Sequence, residues 1–343
     1  KRTLIIQKAF CFFLLFWACA EQTSQTAQED LRSIFSIPHF RNPLEPKVHE
    51  KWRERDCVIE KVSFQGRYGD RIPALVAYSE LGYTQPLPVI LCMPGTPNDK
   101  EDLMYGLNII RSWADRGFFV ISIDRPYHGQ RRGSLEENIL EKGMVRVWGE
   151  SLYDLMVSLD YVKSRRETDG DRIGVLGLSM GGMEALWLAA LDERVDVVVS
   201  VAGHLAWDQV FESGAWKHIF RGYALRNELV QKGVEGKEAR LAFFREQPNL
   251  EAVEALRIVD RLVPRPLLLM VGDRDPFIPL IVSESLYERA HALYAQEGYT
   301  ADGRVELFIS EGNGHSFNKS MQRIAINWFS EWLAVDLKTL RAD

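Results

Sequence analysis

Cysteine is scarce, with four residues in 343, and two of them, Cys11 and Cys19, fall within the first 20. The remaining pair, Cys57 and Cys92, cannot build a disulfide framework. One bridge between them stays open, but Cys92 lies inside an apolar run and reads as a buried free thiol. No CxxC or HExxH spacing occurs, so neither a metal site nor a cofactor is expected. The chain also lacks a Lys/Arg block. Its 42 basic and 48 acidic residues give −6, and without Lys1, Arg2 and Lys8 the balance is −9. That argues against nucleic acid as a partner. No apolar run reaches the roughly 20 residues of a membrane-spanning helix. Repeats and low-complexity tracts are missing as well. With 46% hydrophobic and 26% charged residues, the body composes like an ordinary globular domain.

One segment differs from that body. Residues 1–8 are basic, 9–18 read AFCFFLLFWA, and a polar stretch, EQTSQTAQED, follows. Basic start, short apolar run and small-residue exit are the layout of an export signal over 1–20. Two exits remain open: cleavage after Ala18-Cys19-Ala20, or lipidation at Cys19. The expected location is therefore exported, whether periplasmic, extracellular or lipid-anchored. Residues 21–56 read as a polar leader.

From residue 57 onward, strand and helix patterns alternate. Strands are expected at 57–64, 71–78, 88–93, 118–123, 172–178, 195–201, 266–271 and 304–309, mostly as short continuous apolar runs. Helices are expected at 102–116, 147–164, 180–191, 280–296 and 317–334. Eight strands with interspersed helices predict a mostly parallel, doubly wound α/β sheet. The stretch 205–262 has helix formers, charges and aromatics (Trp207, Phe211, Trp216, Phe220, Tyr223, Phe243, Phe244) but no strong strand. It reads as a helical insertion whose aromatics are expected mainly to pack, with an apolar acyl or sugar-stacking pocket as the other role open to some of them.

Chemistry concentrates where strands end. Gly177-Leu178-Ser179-Met180-Gly181 follows one strand and opens a helix, so Ser179 occupies a sharp turn that only small neighbours permit. A serine hydroxyl needs a base. Of the seven histidines, His315, in Gly312-Asn313-Gly314-His315, follows the last strand and stands in the right chain order. Two aspartates, Asp273 and Asp275, in Gly272-Asp273-Arg274-Asp275-Pro276, could orient it. Asp275 is favoured because it lies further out of the tight turn. An oxyanion hole would take the Met180 N–H and, from Pro94-Gly95-Thr96-Pro97, the Thr96 N–H, since neither proline can donate.

These motifs, in this order, resemble the α/β-hydrolase superfamily across residues 57–335. Segments FQGRYGDRIPALVAY and PLPVILCMPG resemble its dienelactone hydrolase and acetyl xylan esterase branch. Asp124-Arg125-Pro126-Tyr127-His128-Gly129 resembles the D-x-x-G-H-G turn of that fold, which is usually structural and implies no catalytic role for His128. The resemblance implies the α/β-hydrolase fold, a cap formed by 205–262, and a serine esterase acting on small-molecule or carbohydrate esters. Its departures are Pro94-Gly95 in place of His-Gly, and a serine where dienelactone hydrolases proper have cysteine. Alternative readings are an exported serine peptidase of the prolyl-oligopeptidase type and a non-catalytic binding protein on the same fold. Oligomeric state is not legible.

Overall fold

The structure, a computed structural model, describes residues 31–131, 133–222, 231, 235–299 and 303–334. The expected export signal, the Cys19 lipid site and Tyr223 lie outside the described residues. One sheet organises the rest, in the order β1-β2-β3-β5-β4-β6-β7-β8-β9. Its strands are β1 (Lys47–Glu54), β2 (Cys57–Gln65), β3 (Arg71–Ser79), β4 (Leu87–Met93), β5 (Phe119–Ile123), β6 (Thr168–Leu178), β7 (Val197–Val201), β8 (Leu267–Gly272) and β9 (Val305–Ser310). The first three run antiparallel to their neighbours, and from β5 through β4 to β9 every pair is parallel. The central strands β4, β5, β7 and β8 are buried along their whole length. Their Val/Ile/Leu-rich runs suit a sheet covered on both faces.

Among the described residues the sheet has nine strands, not the eight expected. The extra one, β1, comes from the supposed leader. Its sequence KVHEKWRE has no apolar alternation because it is an edge strand, exposed at every position except a half-buried Trp52. Upstream of it, Leu31, Phe35 and Ile37 are buried. Phe35 packs edge-on against Trp187 at 5.2 Å. Gly149 makes room for this segment, since a Cβ there would lie 1.8 Å from the Phe35 carbonyl oxygen.

Helices cover both faces. Gly174 and Gly177 lie three apart in β6 and so point to opposite sides. A Cβ at Gly174 would meet Phe329 of helix Lys319–Trp332 at 2.5 Å, and one at Gly177 would meet the Gly181 backbone at the start of helix Met180–Leu191. On the Gly177 side, helix Met144–Lys163 packs against Met180–Leu191 through Trp148 and Trp187, 4.9 Å apart. The helix expected over 102–116 is broken. A wide turn spans Asp102–Gly106, and Asn108 takes a left-handed conformation before Ile109–Ala114 resumes. Gly106 and Asn108, both poor in helix propensity, mark the break. Segment 205–262 contains the short helices Trp207–Ser213, Trp216–Gly222, Gly236–Arg245 and Ala255–Ile258. Trp207 stacks with Phe244 at 6.0 Å, as packing aromatics should. Cys57 and Cys92 are both free and buried, and no bridge joins them.

Candidate active site

Ser179 stands between β6 and helix Met180–Leu191 at φ 55°, ψ −120°. A β-carbon is costly in that conformation, and strain of this kind gathers at functional sites. The surroundings hold it in place. Ser179 N–H donates to Val201 O at 2.8 Å, and its carbonyl accepts from Gly182 N–H at 2.8 Å. A Cβ at Gly177 would fall 1.8 Å from Gly181 O, and one at Gly181 would fall 2.3 Å from Met93 O. The Gly-x-Ser-x-Gly spacing is therefore a steric requirement of the turn.

The structure brings three of the expected residues into one hydrogen-bonded chain. His315 Nε2 lies 2.8 Å from Ser179 Oγ, and His315 Nδ1 lies 2.7 Å from Asp275 Oδ2. The Asp275 side chain is fully buried. Its other oxygen accepts from the backbone N–H groups of Phe277 (2.8 Å) and Ile278 (3.0 Å). A carboxylate that only accepts places the imidazole proton on Nδ1. That leaves the Nε2 lone pair facing the serine hydroxyl.

Asp273 does something else. Its Oδ1 accepts from Asn313 N–H at 3.2 Å, and Arg274 N–H donates to Asn313 O at 2.9 Å. These contacts fasten the loop after β8 to the loop that carries His315. Gly272 permits the approach, because a Cβ there would lie 2.3 Å from Asn313 O. The two aspartates left open by sequence are thus separated by geometry.

Ser179 and His315 open into a cavity of about 260 Å³, lined also by Thr96, Pro97, Met180, Met183, Leu205, Ile219, Phe277 and Ile278. Thr96 and Met180, the expected oxyanion donors, therefore border the same space as the serine. Gly95 lets their loop come close, since a Cβ there would sit 3.0 Å from Ser179 Cβ. Segment 205–262 contributes Leu205 and Ile219, and its described aromatics stay out of the lining. Among the described residues, no cluster of His, Cys, Asp and Glu could hold a metal ion.

Two other histidines are buried nearby. His128 Nδ1 donates to Pro126 O at 2.9 Å, and His204 Nε2 lies 2.6 Å from Ser283 Oγ. Burial, reinforced by Arg125, pushes the His128 ring down to about 3, and burial pushes His204 down to about 4. An unfolded imidazole takes up its proton near 6.5. Below that pH the unfolded chain binds more protons than the folded one, so stability is lost as pH falls from 6.5 toward 4. Each histidine is expected to contribute about 1.4 kcal/mol per pH unit to that slope. Urea unfolding at several pH values checks this. His204→Asn should remove one proton's worth of slope, and an unchanged slope would refute the assignment.

Sequence reasoning passed over a neighbouring buried pair. Arg125 Nη1 lies 3.3 Å from Glu184 Oε2, with both side chains almost fully enclosed. Nothing local announces it, because the partners are 59 residues apart.

Residues 105–338 match the sequence profile of the prolyl oligopeptidase family. The chain belongs to that family. Its relatives include the putative hydrolase YtaP of Bacillus subtilis, 28% identical over 244 residues, covering 68% of this chain and 73% of that protein. The putative esterase YitV of the same organism is 22% identical and covers 76% of this chain and 96% of its own. Among solved structures, an acetyl xylan esterase from Paenibacillus sp. R4 superposes with a TM-score of 0.61 at 19% identity, covering 89% and 93% of the two chains. At that identity the likeness is one of fold. The α/β-hydrolase fold expected from the motif order is the fold found. Prolyl oligopeptidase family membership also gives the alternative reading, a peptidase, a concrete rival to weigh against the site.

Proposed function

We propose that this protein is a serine esterase in which Ser179 is the nucleophile, His315 the general base and Asp275 its orienting carboxylate. The carrying observation is the unbroken Ser179–His315–Asp275 hydrogen-bonded chain at an apolar cavity. Ser179 Oγ attacks the ester carbonyl as His315 Nε2 takes its proton, and the imidazolium faces the buried Asp275. The carbonyl oxygen becomes an oxyanion, for which Thr96 N–H and Met180 N–H are the donors. On collapse the alkoxide leaves with the proton from Nε2. Water then attacks the acyl-enzyme with His315 again as base, freeing the acid.

The cavity favours esters over peptides. Among the described residues lining it there is no Asp, Glu, Lys or Arg, so nothing offers a counter-ion to a charged peptide terminus. The Met180, Met183, Leu205, Ile219, Phe277 and Ile278 side chains suit an apolar acyl group. An acetyl ester, including one on a carbohydrate, fits and leaves most of the space unfilled.

A chain-length series of p-nitrophenyl esters, run beside an aminoacyl-arylamide panel, tests this reading. Burying a methylene gives about 0.8 kcal/mol, so kcat/KM is expected to rise about fourfold per added carbon until the cavity is full. The arylamides should be turned over far more slowly than the esters. A series that falls from acetate onward would remove the acyl group from this cavity, and arylamide turnover matching the esters would favour the peptidase.

A further inference from the structure

We infer that Arg125 positions the oxyanion hole by holding the Gly95–Thr96 peptide plane. The inference rests on the esterase reading above. The loop after β4 has little to fix itself with: Pro94 and Pro97 have no N–H, and Gly95 has no side chain to restrain its dihedrals. A half-turn of the Gly95–Thr96 peptide would aim a carbonyl at Ser179 in place of an N–H. The reacting oxygen would then meet negative charge.

Arg125 opposes that rotation. Its Nη2 donates to Gly95 O at 3.1 Å. In a planar trans peptide the C=O and the following N–H point in opposite directions. Holding Gly95 O on the Arg125 side therefore turns Thr96 N–H away from Arg125. Gly95 also approaches Ser179 closely, and Thr96 borders the serine's cavity.

The guanidinium is itself held. Arg125 is 2% exposed and Glu184, its counter-ion, is wholly buried. The second Glu184 oxygen accepts from Ser151 Oγ at 2.6 Å. Glu184 belongs to helix Met180–Leu191, which also carries the Met180 N–H. A single buried ion pair thus ties the loop bearing one donor to the helix bearing the other.

A second contact acts on the same loop. With its Nδ1 proton committed to Pro126 O, His128 presents Nε2 as an acceptor, and Thr96 Oγ1 lies 3.4 Å away. Arg125 and His128 come from one turn, Asp124–Gly129. Its Asp124 carboxylate accepts from Lys100 Nζ at 2.7 Å and from Gln130 N–H at 2.8 Å. Gly129 packs so tightly on it that a Cβ would lie 2.5 Å from the carboxylate. The D-x-x-x-H-G turn is structural, and the structure it builds is the back wall of the oxyanion loop.

Arg125 touches no reacting atom, so it is a positioning residue. Two variants test it: Arg125→Lys, which keeps the charge but not the fork, and Arg125→Met with Glu184→Gln, which removes both charges together. Removing a whole oxyanion donor costs about 10²–10³ in kcat, and loosening one is expected to cost about 10- to 100-fold. KM for the ester should stay within about threefold, because the neutral carbonyl makes little use of the hole. Affinity for an alkyl boronic acid, which forms a tetrahedral anion on the serine, should fall by the same factor as kcat. Phe64→Leu, in the core far along the sheet, serves as reference for plain destabilisation and should leave kcat unchanged.

Thermal melting establishes that each variant is folded, and Arg125→Lys alone carries the test if the double variant does not fold. The proposal is overturned if a folded variant keeps kcat within threefold, if the loss appears in KM instead, or if Phe64→Leu reproduces it. Labelling with a fluorophosphonate separates two failures. A parent that labels at Ser179, with variants that keep kcat, overturns the clamp alone. A parent that neither labels nor cleaves esters overturns the esterase reading and the clamp with it.

Discussion

Ser179→Ala is expected to lower ester turnover by about 10⁴- to 10⁶-fold, the range seen when a triad nucleophile is deleted. The substitution removes one oxygen and little else. Alanine keeps the β-carbon that the φ 55° turn already accommodates, and the backbone bonds from Ser179 N–H to Val201 O and from Gly182 N–H to the Ser179 carbonyl do not involve the side chain. His315 keeps its bond to Asp275. Fold and substrate binding should therefore persist, with KM near the parent value and fluorophosphonate labelling lost. Turnover above about one tenth of the parent would remove Ser179 from the reaction.

Asp275→Asn should cost about 10⁴ in kcat, through the proton on His315 rather than through loss of structure. Phe277 N–H and Ile278 N–H both donate to Oδ1 of Asp275, so an asparagine would keep its carbonyl oxygen there. Its amide nitrogen would then face His315 Nδ1, a position now filled by a carboxylate oxygen. Two N–H groups cannot share that contact, so the ring must move its proton to Nε2. An imidazole protonated at Nε2 donates to Ser179 and cannot accept from it. Asp273→Asn is the informative comparison, since it keeps an acceptor for Asn313 N–H and is expected to cost less than about tenfold. Equal losses from the two would dissolve the distinction between them.

What could be read from sequence, and what could not, divides along a physical line. Core strands announce themselves because both faces are covered. The runs PVILCM and PLLLMV lie within one residue of β4 and β8. β6 begins at Thr168, four residues before the expected start, because TDGD is polar: Thr168 and Asp169 pair with β4 ahead of a bulge, and the apolar run resumes only at Ile173. β1 was invisible for a related reason: KVHEKWRE carries no apolar face, being an exposed edge. The Ser179 turn was legible because a sterically forced turn dictates the types of its neighbours. Choosing between Asp273 and Asp275 needed distances, since both stand in the same few residues. Arg125 and Glu184 were missed because a buried ion pair between distant segments leaves no period or spacing in either one. A charged residue in a turn looks the same whether water or a carboxylate neutralises it.

The proposed reacting groups are far apart in the chain: His315 is 136 residues beyond Ser179 and 40 beyond Asp275. Contacts of such separation form late in folding, after the local ones. Ser179 requires β6 and β7 in register, Asp275 requires β8, and His315 requires β9. Catalysis therefore doubles as a record of completion. On the proposed mechanism, a chain that has collapsed, formed helices and paired β1 with β2 would still be inert until β9 docks. A nascent chain emerging from a ribosome would carry no assembled site.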